Sequence, residues 1–93
     1  MRQGTWATPS LYEQTLTDRT RILGSDHPDT LASGNNLAYA YESAGDLGRA
    51  TGLYEQTLTD SMRVRGRNHP ETKIVRGNLA AARRQHQRAS RGS

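Results

Sequence analysis

The three histidines, His27, His69 and His86, are the first residues to test for chemistry. A catalytic or metal centre needs two or three such groups converging on one point. His27 and His69 each precede a proline, and they lie 42 positions apart in matching contexts. That spacing makes them equivalents in two copies of one unit rather than partners in a site. They are expected to stabilise loops. Glu13/Glu55 and Asp18/Asp60 recur at the same distance and belong on solvated helix faces. Asp18 and Arg21, at i and i+3, can form a weak pair. Cysteine is absent, so neither a disulfide nor a thiolate metal site can form. Gly24, Gly45 and Gly66 stand singly rather than in a phosphate-cradling loop. Catalysis is therefore not expected, and no metal or cofactor is called for.

Arginine is the remaining chemistry. From Arg76 onward come Arg76, Arg83, Arg84, Arg88 and Arg91 without an acid, in a chain of net charge +4. Cations suit a helix C-terminus, which explains such a cluster without a ligand. The alternative is a basic nucleic-acid- or anion-binding module using Arg83, Arg84 and Arg88. No aromatic interleaves those arginines to stack a base, which makes nucleic acid the weaker partner.

The elements that carry these residues are repeated. Residues 11–18 (LYEQTLTD) return letter for letter at 53–60, and 17 of the 34 pairs are identical when 11–44 is laid on 53–86. A fixed period of this length marks stacked supersecondary units, none of which can bury its apolar face alone. Four helices follow from the spacing, at about 9–23, 28–44, 46–65 and 70–88. Pro9, Pro28 and Pro70 suit first turns, Asp26 or His27 can cap the second helix and Asp46 the third, and glycines stop the first three. Residues 1–8 and 89–93 read as disordered ends, with Trp6 placed to cover an apolar edge. Strands are not expected, because strict alternation is missing and Ala, Leu, Glu, Gln and Arg favour helix.

At 93 residues, with 32% hydrophobic residues and no Phe, the chain can afford only a thin core spread along a stack. No apolar run approaches the length of a membrane span, and the first ten residues lack a signal-peptide stretch. No membrane contact is expected, and the cytoplasm is the expected compartment.

The unit resembles a known family. Gly34, Leu37, Ala38 and Tyr41, followed by Ala50 and Tyr54, are similar to the tetratricopeptide signature W-x2-L-G-x2-Y…A-x3-F. Gly34 replaces the bulky aromatic, and Thr57 stands where a small residue is usual. The 42-residue period, with Asn35-Asn36-Leu37-Ala38 and the link Gly24-Ser25-Asp26-His27-Pro28-Asp29-Thr30, is similar to the longer repeats of kinesin light chain and of bacterial multidomain regulators. The resemblance implies an all-α solenoid of antiparallel helix hairpins in the order B-A-B-A, with one complete unit in the middle. It also implies a protein or peptide partner.

In that family helix A lines a concave face. On the second helix Ala32, Asn35, Tyr39, Glu42 and Ser43 share an arc, as do Ile74, Gly77, Ala81, Arg84 and Gln85 on the fourth. Asn35, Tyr39, Glu42 and Arg84 are the candidate peptide-binding residues. Asn36 and Asn78 recur, which suits a structural bond to a loop or turn. The unpaired B and A helices at the two ends imply exposed apolar stripes. Stacking of one copy on the next, through residues such as Leu16 and Leu79, would give a homo-oligomer. The sequence names neither the partner nor the pathway. It also leaves open the oligomer's symmetry and whether the chain is part of a longer array.

Overall fold

A computed structural model describes residues 9–91. Four helices follow one another: α1 Pro9–Leu23, α2 Pro28–Ser43, α3 Leu47–Arg65 and α4 Pro70–Arg91. Each packs on the next in sequence, and α2 also touches α4 along one edge. The result is a slab of 38 × 30 × 16 Å. Expectations about residues 1–8, Trp6 included, and about 92–93 lie outside the described residues.

The links repeat as closely as the helices do. Gly24 and Gly66 have φ of 90° and 92°, the left-handed region that a side chain would strain. Their N–H groups reach back to Thr20 and Met62 carbonyls at 3.0 Å, which closes α1 and α3. Three residues on, His27 and His69 do the same job: each Nδ1 accepts the N–H of the second residue beyond, Asp29 at 3.0 Å and Glu71 at 3.1 Å. An imidazole thus takes the place usually held by Ser, Thr, Asp or Asn at a helix start. Asp26, the other candidate cap, turns away to Arg63. Asp46 accepts from the Arg49 N–H at 3.3 Å and so stands just before α3.

α4 is longer than the spacing predicts. Residues 89–91, expected in a disordered tail, are helical. Nothing in that stretch stops a helix before Gly92. Ala80, Ala81, Ala82, Arg83, Arg84 and Gln85 are strong helix formers, and Arg88 and Arg91 sit favourably at the negative end of the dipole.

The core is thin and partly polar. Ala38, Ala50, Tyr54, Val75, Leu79 and Ala82 form its centre, with Tyr41, Leu53 and Leu58 packed around them. Small residues let α2, α3 and α4 approach closely. Thr30, Ser33, Thr57, Ser61 and Thr72 are buried beside them. Thr72 and Ser61 share a hydrogen bond of 2.7 Å between hydroxyls, and the Thr30 hydroxyl donates to the Arg19 carbonyl at 3.2 Å. These are the same rung, one repeat apart.

Two departures from the family pattern prove to be one. Gly34 is buried against Thr57, and a Cβ built on it would lie 2.7 Å from the Thr57 Oγ1. The bulk missing from α2 is supplied by α3, so the interface keeps its packing with the sizes exchanged.

Candidate interaction surface

The sequence-derived arc on α2 does border a shallow face shared with α4, but its members differ in freedom. Asn35 is half-buried: its Oδ1 accepts from the Asn78 Nδ2 at 3.1 Å. Glu42 is spoken for twice. One carboxylate oxygen accepts from the Tyr54 hydroxyl at 3.0 Å, and the other from the Gln85 Nε2 at 2.7 Å. Two rungs therefore tie α2 to α4 along the face, one at Asn35–Asn78 and one at Glu42–Gln85. Between and beside them Tyr39 is 61% exposed on α2 and Ile74 49% exposed on α4. The two apolar side chains lie on opposite sides of the Asn35–Asn78 rung, whose carboxamides have hydrogen-bonding capacity left over.

Arg84 lies one repeat after Glu42. It therefore occupies the register with which α2 reaches its neighbour, and it is exposed on the outer side of α4.

The recurring asparagines do not bond a loop. Asn78 spans two A helices, and Asn36, its equivalent, is exposed on the α1 side of α2. Of the other repeat positions, Leu37, Ala38, Ala50 and Tyr54 are buried, and Tyr41 is half-buried. The Tyr41 hydroxyl donates to Glu13, and the Arg83 guanidinium donates to Glu55 at 2.7 Å. Both link an A helix to the B helix before it, 28 residues back.

Hydrogen bonding to Glu13, then burial, raises the Tyr41 phenol above its ordinary value. For Tyr54 burial comes first and the Glu42 carboxylate second; both disfavour the phenolate and hold it well above the usual range. Asp26 is lowered by the two hydrogen bonds from Arg63, at 2.8 and 3.0 Å, and the same pair, with Asp60, raises Arg63. Asp18 and Arg21 stand 3.5 Å apart.

The end surfaces correct the picture of two apolar stripes. Leu79 is 4% exposed, in the core between α3 and α4, because its turn of α4 faces α3. It is not available to a second copy. Leu16 is half-buried, beside a small cavity that Thr30, Leu31, Gly34 and Leu53 also line. The outer side of α4 is polar. Where α2 meets α3 with Leu31, Gly34, Ala38 and Glu42, α4 presents Lys73, Arg76, Ala80 and Arg84. Apolar residues are exposed instead on α1, at Leu11, Tyr12, Ile22 and Leu23.

No group of three or more His, Asp or Glu side chains that could hold a metal ion occurs among the described residues. No helix among them is long and apolar enough to cross a membrane.

Stacked antiparallel hairpins, glycine-closed and tied by rungs that recur every 42 residues, define a helical-repeat scaffold of the solenoid class. A sequence model of the tetratricopeptide repeat matches residues 10–61, more than half of the chain, and the chain belongs to that family. Repeats of this kind mediate protein–protein interaction. No curated protein and no solved structure matches the chain.

Proposed function

We propose that this chain is a protein-interaction module that binds a peptide segment across the face shared by α2 and α4. The exposed pair Tyr39 and Ile74 beside the Asn35–Asn78 rung carries the reading. Half-exposed apolar side chains give a peptide area to bury. The asparagine carboxamides, already oriented by each other, can both donate to and accept from its backbone. Arg84, exposed on α4, can clamp a carboxylate of a peptide that extends beyond that face. A face made by two helices is shallow, so the affinity of this chain alone is modest.

A peptide selected from a display library against the immobilised chain tests the proposal. Tyr39→Ala should weaken its binding by about tenfold or more, the loss of roughly 1.4 kcal/mol. Asn35→Ala should weaken it while leaving the fold intact. Selected peptides whose binding ignores both substitutions would rule this face out.

The second reading is anion binding along α4. Arg84, Arg88 and Arg91 recur at i, i+4 and i+7 on one exposed stripe, and no acid follows Glu71. Arg83 and Arg76 contribute less, since they bond Glu55 and the Arg67 carbonyl. Binding of a polyanion through this stripe would fall steeply with salt and disappear in Arg84→Gln/Arg88→Gln/Arg91→Gln, whereas Arg83→Gln alone would weaken it less. Peptide binding at Tyr39 would change little with salt.

A further inference from the structure

At the starts of α2 and α4 a backbone N–H ends on an imidazole. The Asp29 N–H donates to the His27 Nδ1 at 3.0 Å, and the Glu71 N–H to the His69 Nδ1 at 3.1 Å. An accepting nitrogen carries no hydrogen, so each neutral ring keeps its proton on Nε2. Protonation puts a hydrogen on Nδ1 as well. The acceptor becomes a donor, and the N–H it held is orphaned in the first turn of a helix. The new charge also faces the positive end of the helix dipole. The usual caps, Ser, Thr, Asp and Asn, keep their acceptors between about pH 5 and 8, whereas a histidine cap does not.

Both caps lie at one end of the α2–α4 face. Pro28 in the first turn of α2 and Glu71 in the first turn of α4 line a single narrow cleft, with Asn35 farther along it and Arg65 on its α3 side. Ile74 follows Glu71 by three residues. The charges around the two rings differ. His27 lies between Asp26 and Asp29, and both acids are answered: Asp29 by Arg19 of α1 at 3.8 Å, Asp26 by Arg63 of α3 at 2.8 Å. His69 meets Arg65 of α3, whose Nη1 lies 3.4 and 3.2 Å from the two ring nitrogens. Arg76 of α4 bonds the Arg67 carbonyl in the same link, and Glu71 and Lys73 are the other charged groups of that turn. A proton on His27 therefore breaks one contact. On His69 it breaks the cap and also sets two cations against each other.

We infer that His27 and His69 are proton latches on the α2–α4 face. Neutral rings hold the first turns of α2 and α4 closed; protonated rings release them, α4 further than α2. The consequence rests on the peptide reading of that face: peptide binding is full while the rings are neutral and weakens as they take up protons. The sign follows from the caps, which exist only with Nδ1 free of a proton. Their contribution is complete above the ordinary histidine range of about 6.5 and is lost below it. The Asp26–Arg63 pair fades only in the carboxylate range of about 4, so the two acid effects are separable.

The test is a titration of the isotope-labelled 93-residue chain from about pH 7.5 to about pH 5.5, followed by nuclear magnetic resonance. At the upper end both rings should show the Nε2–H tautomer. On acidification the Asp29 and Glu71 amides should lose protection against exchange, Glu71 the more, and the Ile74 methyl and Asn78 carboxamide should shift with them. His27→Asn/His69→Asn puts a cap that does not titrate in each place. It should keep the upper-end signals of Ile74 and Asn78 and remove their pH dependence, whereas His86→Gln should leave that dependence intact. A display-selected peptide that needs Tyr39, chosen without Asp, Glu or His and blocked at both ends, should bind the parent about threefold or more weakly at the lower pH. It should bind the double variant equally at both. Four results overturn the inference: an Nδ1–H tautomer at the upper end, amides that stay protected while both rings titrate, a double variant with the parent's pH dependence, or peptide binding to the parent that ignores pH. A peptide that fails to bind even at the upper end counts against the α2–α4 face alone, and the signals of the free chain still decide the latches.

Discussion

Glycine has opposite meanings at Gly34 and Gly77. At Gly77 an added methyl meets nothing within 4 Å, and the residue lies inside a helix. Gly77→Ala should therefore raise stability by about 0.5–1 kcal/mol, through helix propensity and a smaller unfolded ensemble. At Gly34 the same gain is opposed by contact with the buried Thr57, and Gly34→Leu should cost about 1–3 kcal/mol by overpacking. Chemical denaturation of the two variants checks the contrast; equal behaviour would mean that α2 and α3 are not packed at Thr57. The buried phenols act at the same scale. Tyr41 and Tyr54 are raised in the folded chain, so their protonated forms stabilise it below the ordinary tyrosine range of about 10, and that stability is lost as the pH rises through their folded values. A spectrophotometric titration should show these two phenols ionising late and together with alkaline unfolding. Tyr54→Phe should remove part of that alkaline sensitivity.

At the scale of elements, the links matter as much as the helices. Asp26, in the α1–α2 loop, holds Arg63 at the end of α3 through two hydrogen bonds. Its carboxyl is lowered in the folded chain, so the pair contributes fully above the ordinary carboxylate range near 4 and fades as the pH falls below it. Asp26→Asn should lower the melting temperature at neutral pH, and the difference from the parent should vanish in acid. Both side chains are solvent-exposed, so added salt should narrow the difference too. In the interior, Ser61 and Thr72 join α3 to α4. Ser61→Ala leaves the buried Thr72 hydroxyl with only the Ser61 carbonyl at 3.5 Å and should cost about 1–3 kcal/mol. Much of this level was legible in the chain: three of four helix starts follow from proline and the first three stops from glycine. The cap that histidine provides was not, because imidazole acceptors are uncommon at helix starts and Asp26 was an equal candidate.

For the molecule as a whole, the contrast between the two ends decides how copies behave. Leu79→Ala should cost about 2–5 kcal/mol of folding stability, as a core truncation does, rather than dissociate an assembly. The polar outer side of α4 argues against open-ended stacking of one copy on the next. Light scattering over a hundredfold concentration range should therefore show a mass that does not climb; a steadily growing species would contradict the role given to Arg76. The heterologous contact expected from two unpaired helices would have needed apolar residues on both.

The period of 42 residues settled the fold class by itself, because apolar spacing and turn chemistry are local and were repeated in register. The family likeness was legible on the same residues. Which members of an arc are free was not, since that depends on what lies opposite. Asn35 and Glu42 share Tyr39's arc, yet α4 and Tyr54 engage the first two while Tyr39 remains open. The pairing of Gly34 with Thr57 was visible as two separate oddities 23 residues apart, and only the packing of α2 on α3 made them complementary. Leu79 and Lys73 lie on one amphipathic helix, and only tertiary contact shows which side of it faces α3. Periodicity specifies that a helix has a buried side; the neighbour's shape and charge decide what the other side can receive.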